Sequence, residues 1–227
     1  MGTDDFFKKR RAEREARKHD QRSPIPNSFL IVSEGAKTEK NYFDGLSSYI
    51  KTHFGGNIDV VAPQITVEGV GKGTSALIVA TEKIVNRSTK MYEHIWVVFD
   101  KDDFPDFDEA IALANEKQFE VAWSNHCFEY WLFLHFEYSD SALHRNMWSE
   151  KLNKIFIERG LNSEGYQKNL TNIFELVTRD KGLKCAFGFA KRRKSCFEVN
   201  CSPSQCDPCT TVYKIIEELK EFLSDLL

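Results

Sequence analysis

The sequence predicts an α/β protein: a mostly parallel sheet flanked by helices, with a helical C-terminal part. Three observations carry that prediction. Up to about residue 140, short apolar runs alternate with segments whose apolar residues recur at helical spacing. Runs such as Ile95–Phe99 ("IWVVF") are continuously apolar, as expected of strands covered on both faces. Beyond residue 140 the strand signal stops and only helical spacing continues. Strand–helix alternation of this kind calls for right-handed crossovers and hence parallel neighbours.

Taken in order, residues 1–27 read as a charged arm in which Lys8, Lys9, Arg10, Arg11, Arg14, Arg17, Lys18 and Arg22 outnumber the acids. A solvated arm is the favoured reading, and a basic helix laid on phosphate or a partner protein is the alternative. "SPIPN" (Ser23–Asn27) then ends any helix. A first strand is expected at 28–33, followed by a helix with apolar positions Tyr42, Phe43, Leu46 and Ile50. A second strand at 58–67 runs into the Gly-rich "GVGKGTS" (Gly69–Ser75) and a helix near 74–88. The third strand, 94–99, precedes a helix over Asp106–Gln118, and a fourth, Phe119–Ser124, precedes an apolar helix over Cys127–Phe136. The aromatics of that helix recur too densely for one exposed face and read as core. The division expected is 1–27 arm, 28–140 α/β domain, and 141–227 helical region packed on the sheet.

A chain of 227 residues can bury one sizeable core. With 41% hydrophobic and 29% charged residues it is of ordinary globular type, and a net charge of −3 neither demands nor forbids a nucleic-acid partner. No apolar run approaches the roughly 20 residues of a membrane span, and the first residues lack a signal-peptide pattern. The expectation is therefore a cytoplasmic protein with no membrane partner. Cys196, Cys201, Cys206 and Cys209 crowd together, but only the last pair has zinc-knuckle spacing. Free thiols are favoured there over a structural Zn²⁺ site.

Two strand ends deliver acid. "FLIVSEG" ends on Glu34, and "IWVVFDKDD" ends on Asp100, Asp102 and Asp103. In open parallel sheets ligands bind beyond the carboxyl ends of the strands. If these two strands are neighbours, their carboxylates meet on one rim and raise one another's pKa unless a cation compensates. Hard oxygen donors suit Mg²⁺ or Mn²⁺, which is phosphodiester chemistry. Alternation along an extended chain points Asp100 and Asp102 the same way. The competing reading is helix capping by Asp103 or Asp106, with Glu34 answering a helix dipole. "GVGKGTS" fails as a P-loop, because Gly73 follows Lys72 and Thr66 stands where the upstream glycine belongs. Lys72 still suits a phosphate, and Lys191, Arg192, Arg193 and Lys194 form the best phosphate-tracking patch elsewhere.

The succession strand–Glu–Gly–helix, then strand–Asp-x-Asp–helix, resembles the Toprim domain, a Rossmann-like fold found in topoisomerases, primases and OLD-type nucleases. More narrowly, "IVSEGAKTEKNYF", "GVGKGTS", "IWVVFDKDD", "AWSNHCFEYWLFLHF" and "CDPCTTVYKIIEEL" look like successive signatures of the RloB family, over about residues 28–220. That resemblance implies a Mg²⁺-dependent Toprim-type nuclease of bacterial anti-phage defence, cutting DNA or RNA and working beside an ATPase partner. A homo-oligomer is compatible with it. It implies Glu34 as general acid/base or metal ligand, and Asp100 and Asp102 as the metal pair; Glu129 reads equally as a further ligand or as a first-turn glutamate favoured by its helix dipole. For Glu39, stabilising the helix start is favoured over a supporting role at the site. The alternative function is a catalytically quiet nucleic-acid-binding or sensor subunit. The chain departs from the family pattern at His126, where proline is usual, and at Cys206–Thr210, which replaces an "NPST"-like stretch. His126 offers a ligand or proton shuttle, although a tolerated loop substitution is favoured.

Overall fold

The computed structural model describes residues 24–55, 57–61, 74–101 and 105–227. Residues 1–23 of the arm, Lys72, Asp102 and Asp103 lie outside them. Five strands form one sheet: β1 (Ile25–Ser33), β2 (Asn57–Val61), β3 (Tyr92–Asp100), β4 (Glu120–Asn125) and β5 (Cys209–Thr210). Their order is β2-β1-β3-β4-β5. The first four run parallel, and β5 pairs antiparallel with β4 through Ser124–Thr210 and Asn125–Cys209. The expected mixed architecture is therefore present.

Helix α1 (Thr38–Phe54) buries Tyr42, Phe43, Leu46 and Ile50, a stripe at i, i+4, i+8 spacing. It stops at Gly55, whose φ of 71° carries the chain into the left-handed turn that closes a helix. Helices α2 (Ser75–Arg87) and α3 (Phe107–Glu116) follow β2 and β3, and the six-residue α4 (Phe128–Phe133) follows β4. The C-terminal part adds α5 (Arg145–Glu158), α6 (Ile173–Thr178), α7 (Gly182–Ser195) and α8 (Tyr213–Glu218). No helix among the described residues is long and apolar enough to cross a membrane.

The pleat sorts the strands onto two cores. Phe29, Ile31, Trp96, Val98 and Ala122 face α1 and the C-terminal helices, in one cluster with Trp131, Trp148, Phe174 and Ile215. Leu30, Val32, Val97, Phe99 and Trp123 face α2 and α3. Each interior strand is covered on both sides, which is why its sequence is continuously apolar. Phe128, Tyr130, Trp131 and Phe133 are all core. The C-terminal helices share the core of one sheet face.

Two expectations need correction. Strand pairing reaches back to Ile25 inside "SPIPN", because Ile25 N–H donates to Met91 O at 3.0 Å. Nor does Asp106 cap its own helix: its carboxylate accepts from the N–H groups of Thr74 (3.2 Å) and Ser75 (2.9 Å), at the start of α2.

Candidate active site

The strand order changes direction at β1. The chain leaves β1 through α1 to β2 on one side, and β3 lies on the other. The crevice beyond β1 and β3 is thus the switch point at which open α/β sheets bind ligands. Glu34 and Asp100 are the residues standing there. Glu34 N–H donates to Val98 O at 2.9 Å, fixing it beside β3 two residues before Asp100.

A cavity of about 400 Å³ opens at this rim, lined among others by Glu34, Glu39, Asp100, Glu129, Arg145 and Lys168. Asp100 is held through one oxygen only. Its Oδ2 accepts from Phe128 N–H at 2.9 Å, while its Oδ1 is buried with no hydrogen-bond partner. Burial first, then the charges of Glu39, Glu129 and Glu34, push its pKa well above the usual carboxylate range, against the Phe128 N–H. A buried carboxylate oxygen facing other carboxylates, with no donor, is the environment a cation relieves. The donor set also fits: all-oxygen ligands suit a hard divalent ion.

Glu129, in the first turn of α4, is 3% exposed. Its Oε1 accepts from Lys168 Nζ at 2.9 Å and Tyr166 OH at 3.2 Å. The ion pair outweighs burial and raises the Lys168 pKa. Burial and Glu129 raise that of Tyr166, which stays a neutral donor. Thr38, at the head of α1, anchors this corner by donating to Lys168 O at 3.1 Å. Burial, Glu129 and Asp100 likewise keep the Cys127 thiol protonated.

Glu39 belongs to the pocket as fully as Glu34, and it ranks ahead of Glu34 in perturbing Asp100. Its carboxylate folds back over Gly35, where any Cβ would displace it. A glycine after Glu34 leaves that space to the helix-borne acid. Position 39 in "EGAKTE" carried the available signal. Tyr166, Lys168 and Arg145 come from the helical half, where sequence pattern gives no sign of them.

Other expected site residues fall elsewhere. Lys72 and Asp102 lie outside the described residues. Lys191, Arg192, Arg193 and Lys194, at the end of α7, do not line this pocket. Lys191 pairs with Glu217 at 2.6 Å, and Arg192 lies over Tyr138 at 4.6 Å. Arg193 donates to Pro208 O and Asp207 O at 2.9 and 3.1 Å, and Lys194 reaches Cys206 Sγ at 4.0 Å. His126 Nε2 meets Asp207 Oδ2 at 2.9 Å, so the two places where the chain departs from the RloB pattern touch each other. Cys201 and Cys206 are neighbours at 3.4 Å, with Cys196 exposed and Cys209 buried. Among the described residues, no three of Glu34, Glu39, Asp100 and Glu129, and no three of the four cysteines, bring ligand atoms within 4.8 Å of one another.

Fold and pocket together define a mostly parallel α/β protein with a carboxylate-lined cavity at its switch point. The chain belongs to the RloB-like protein family, whose model matches residues 29–219. No curated protein and no solved structure shows significant similarity to it.

Proposed function

We propose that the chain is a Mg²⁺-dependent nuclease that hydrolyses phosphodiester bonds of DNA or RNA in anti-phage defence, with an ATPase partner. The family supplies the context, and the single observation that carries the chemistry is Asp100 Oδ1, buried and unpartnered among three further carboxylates. Asp100 and Glu34 would hold the ion, with Glu39 beside them. Among the described residues no three of the pocket's carboxylates bring ligand atoms within 4.8 Å of one another. Such spacing suits Mg²⁺, which keeps several waters and takes one or two carboxylates plus phosphate oxygens. When bound, such an ion polarises a phosphoryl oxygen and lowers the pKa of bound water. Glu34 would serve either as a ligand of that ion or as the general acid/base. Lys37, Arg145 and Lys168 on the same rim would attract and orient the phosphate. Holding Glu129 by Lys168 and Tyr166 limits the negative charge an incoming phosphate meets.

The same ion pair favours a second reading. A carboxylate already neutralised by Lys168 is withdrawn from metal binding, as it would be in a catalytically quiet nucleic-acid sensor. One experiment separates the two. Purified protein, alone and with the partner ATPase, is incubated with plasmid, single-stranded DNA and total RNA in Mg²⁺, Mn²⁺ or EDTA. Metal-dependent cleavage lost in Glu34→Gln and Asp100→Asn is the expected result. Tight nucleic-acid binding with no cleavage under any of these conditions would assign the sensor role.

A further inference from the structure

The strand that ends on Asp100 carries a second convergence of ligands near its start. His94 on β3, Glu120 at the head of β4 and Glu218 at the end of α8 place one ligand atom each within 4.8 Å of one another. Trp96 pairs in register with Glu120, so these residues sit toward the amino ends of the strands, away from the acidic pocket. His94, Trp96 and Glu120 share the face on which α8 packs.

We propose that His94, Glu120 and Glu218 form a transition-metal site of the zinc class. The distances accommodate such an ion. His94 Nδ1 lies 3.4 Å from Glu120 Oε1 and 3.2 Å from Glu218 Oε2. A tetrahedral ion with bonds of about 2.0–2.1 Å separates its ligands by roughly 3.3–3.4 Å. The charge balances too: two carboxylates offset a divalent ion, whereas without one Glu218 and Glu120 share a hydrogen bond.

Two of the three ligands are held in place from behind. The His94 ring stacks on Phe29, with centroids 4.5 Å apart and 12° between planes. Trp96 Nε1 donates to Glu218 Oε2 at 3.0 Å, which leaves that carboxylate fixed in direction. An imidazole with two carboxylates selects a borderline ion over Mg²⁺. Glu120 and Glu218 also line a groove of about 710 Å³ with Trp123, Phe119 and Lys214, which gives the fourth position access to water. A bound ion would tie β3, β4 and α8 together, clamping the last helix to the sheet.

The test uses the full chain, stripped with EDTA, carrying Asp100→Asn to weaken the acidic pocket. Zn²⁺ titration is followed by calorimetry, and Co²⁺ by its absorption spectrum. One equivalent of Zn²⁺ should bind, Mg²⁺ in large excess should not displace it, and the Co²⁺ complex should lack a thiolate charge-transfer band. Adding Glu218→Gln or, separately, Glu120→Gln should weaken binding by at least about 10–100-fold, with circular dichroism unchanged. Either variant suffices if the other fails to fold. Binding unchanged in both, no binding in the parent, or a thiolate band that hands the ion to the cysteine cluster would each overturn the proposal. None of these outcomes bears on nuclease activity, so the two readings fail separately.

Discussion

β3 carries a charged cluster at each end, and the two differ in a way that bears on chemistry. At the carboxyl end, Asp100 faces Glu34, Glu39 and Glu129 across a cavity of about 400 Å³, and the compensating cations Lys168 and Arg145 are displaced to its wall. At the amino end, two glutamates and an imidazole close to within 4.8 Å. The first arrangement is open, all-oxygen and electrostatically unfavourable when empty, with room for water and a phosphate. The second is tight and mixed in donor type. One strand thus separates an open acidic pocket from a tight cluster of mixed donors. Parallel topology produces the first, since it gathers strand ends at a crevice. The second depends on the return of the C-terminal helix.

The strongest way to break this comparison is Asp100→Asn. Metal-dependent cleavage should fall by at least about 10²–10³-fold, roughly 3–4 kcal/mol of transition-state stabilisation. Stability should move the other way. The folded pKa of Asp100 is raised, so its contribution is fully present below its unfolded value and lost as pH rises through the folded one. In EDTA at pH 8 the asparagine variant should melt higher than the parent, by roughly 2–4 °C per kcal/mol for a chain of this size. The difference should vanish near pH 3. Calorimetric scans at both pH values check it, and a variant less stable in EDTA at pH 8 would remove the electrostatic account of the pocket.

Lys168→Met comes next. Leaving the buried Glu129 carboxylate without its cation is destabilising, and because the Lys168 side chain is 61% exposed the cost is reduced to about 2 kcal/mol. Glu129 would be released toward the cavity, so the rise in melting temperature on adding Mg²⁺ should be larger than in the parent. An unchanged Mg²⁺ response would confine Glu129 to a structural role.

Much of this frame was readable from the chain. β1, β3 and β4, the helix carrying Tyr42 and Leu46, and the acid-bearing ends of the first and third strands all follow from local periodicity. Other features arise from contacts far apart in sequence. β5 is two residues long, too short to show a period, and exists because Cys209 reaches Asn125. Tyr166 and Lys168 enter the pocket through bonds to Glu129 and Thr38, a relationship no spacing rule encodes. Glu39 looked like a helix-start residue, and Gly35 leaves it space to turn back. The His94 cluster draws on three elements across more than a hundred residues, each ligand unremarkable in its own segment.

Acid should act first on the core between the two ends. His135 is buried against Tyr42 OH (3.2 Å) and Trp131 O (3.0 Å), and burial lowers its pKa to about 3. A histidine depressed in the folded state supports the fold above its unfolded pKa of about 6.5 and ceases to as pH falls toward the folded value. About 2 kcal/mol should be lost by pH 5. Melting curves of His135→Gln should be flatter than the parent's between pH 7 and 5. Parallel curves would place the acid sensitivity in the carboxylate clusters instead.

The smallest effect is also the cleanest contrast within one rim. Asp106 is a carboxylate a few residues beyond Asp100, yet its pKa moves the opposite way. Burial alone would raise it, but the N–H groups of Ser75 and Thr74 outweigh burial and hold it below the usual range. The two aspartates therefore differ in their surroundings: at Asp106 the N–H groups of a helix start outweigh burial, whereas at Asp100 burial and three neighbouring carboxylates outweigh the Phe128 N–H. Asp106→Ala should cost about 1 kcal/mol, the usual value of a helix cap, or roughly 2–4 °C. Asp106→Asn should cost less, because the amide oxygen still accepts. A depressed carboxylate contributes stability above its unfolded pKa and loses it as pH falls through the folded one. The curves of parent and alanine variant should consequently converge at low pH, just where those of parent and Asp100→Asn also meet, but from the other side. An Asp106→Ala chain that melted above its parent at pH 8 would show that donors do not decide the sign.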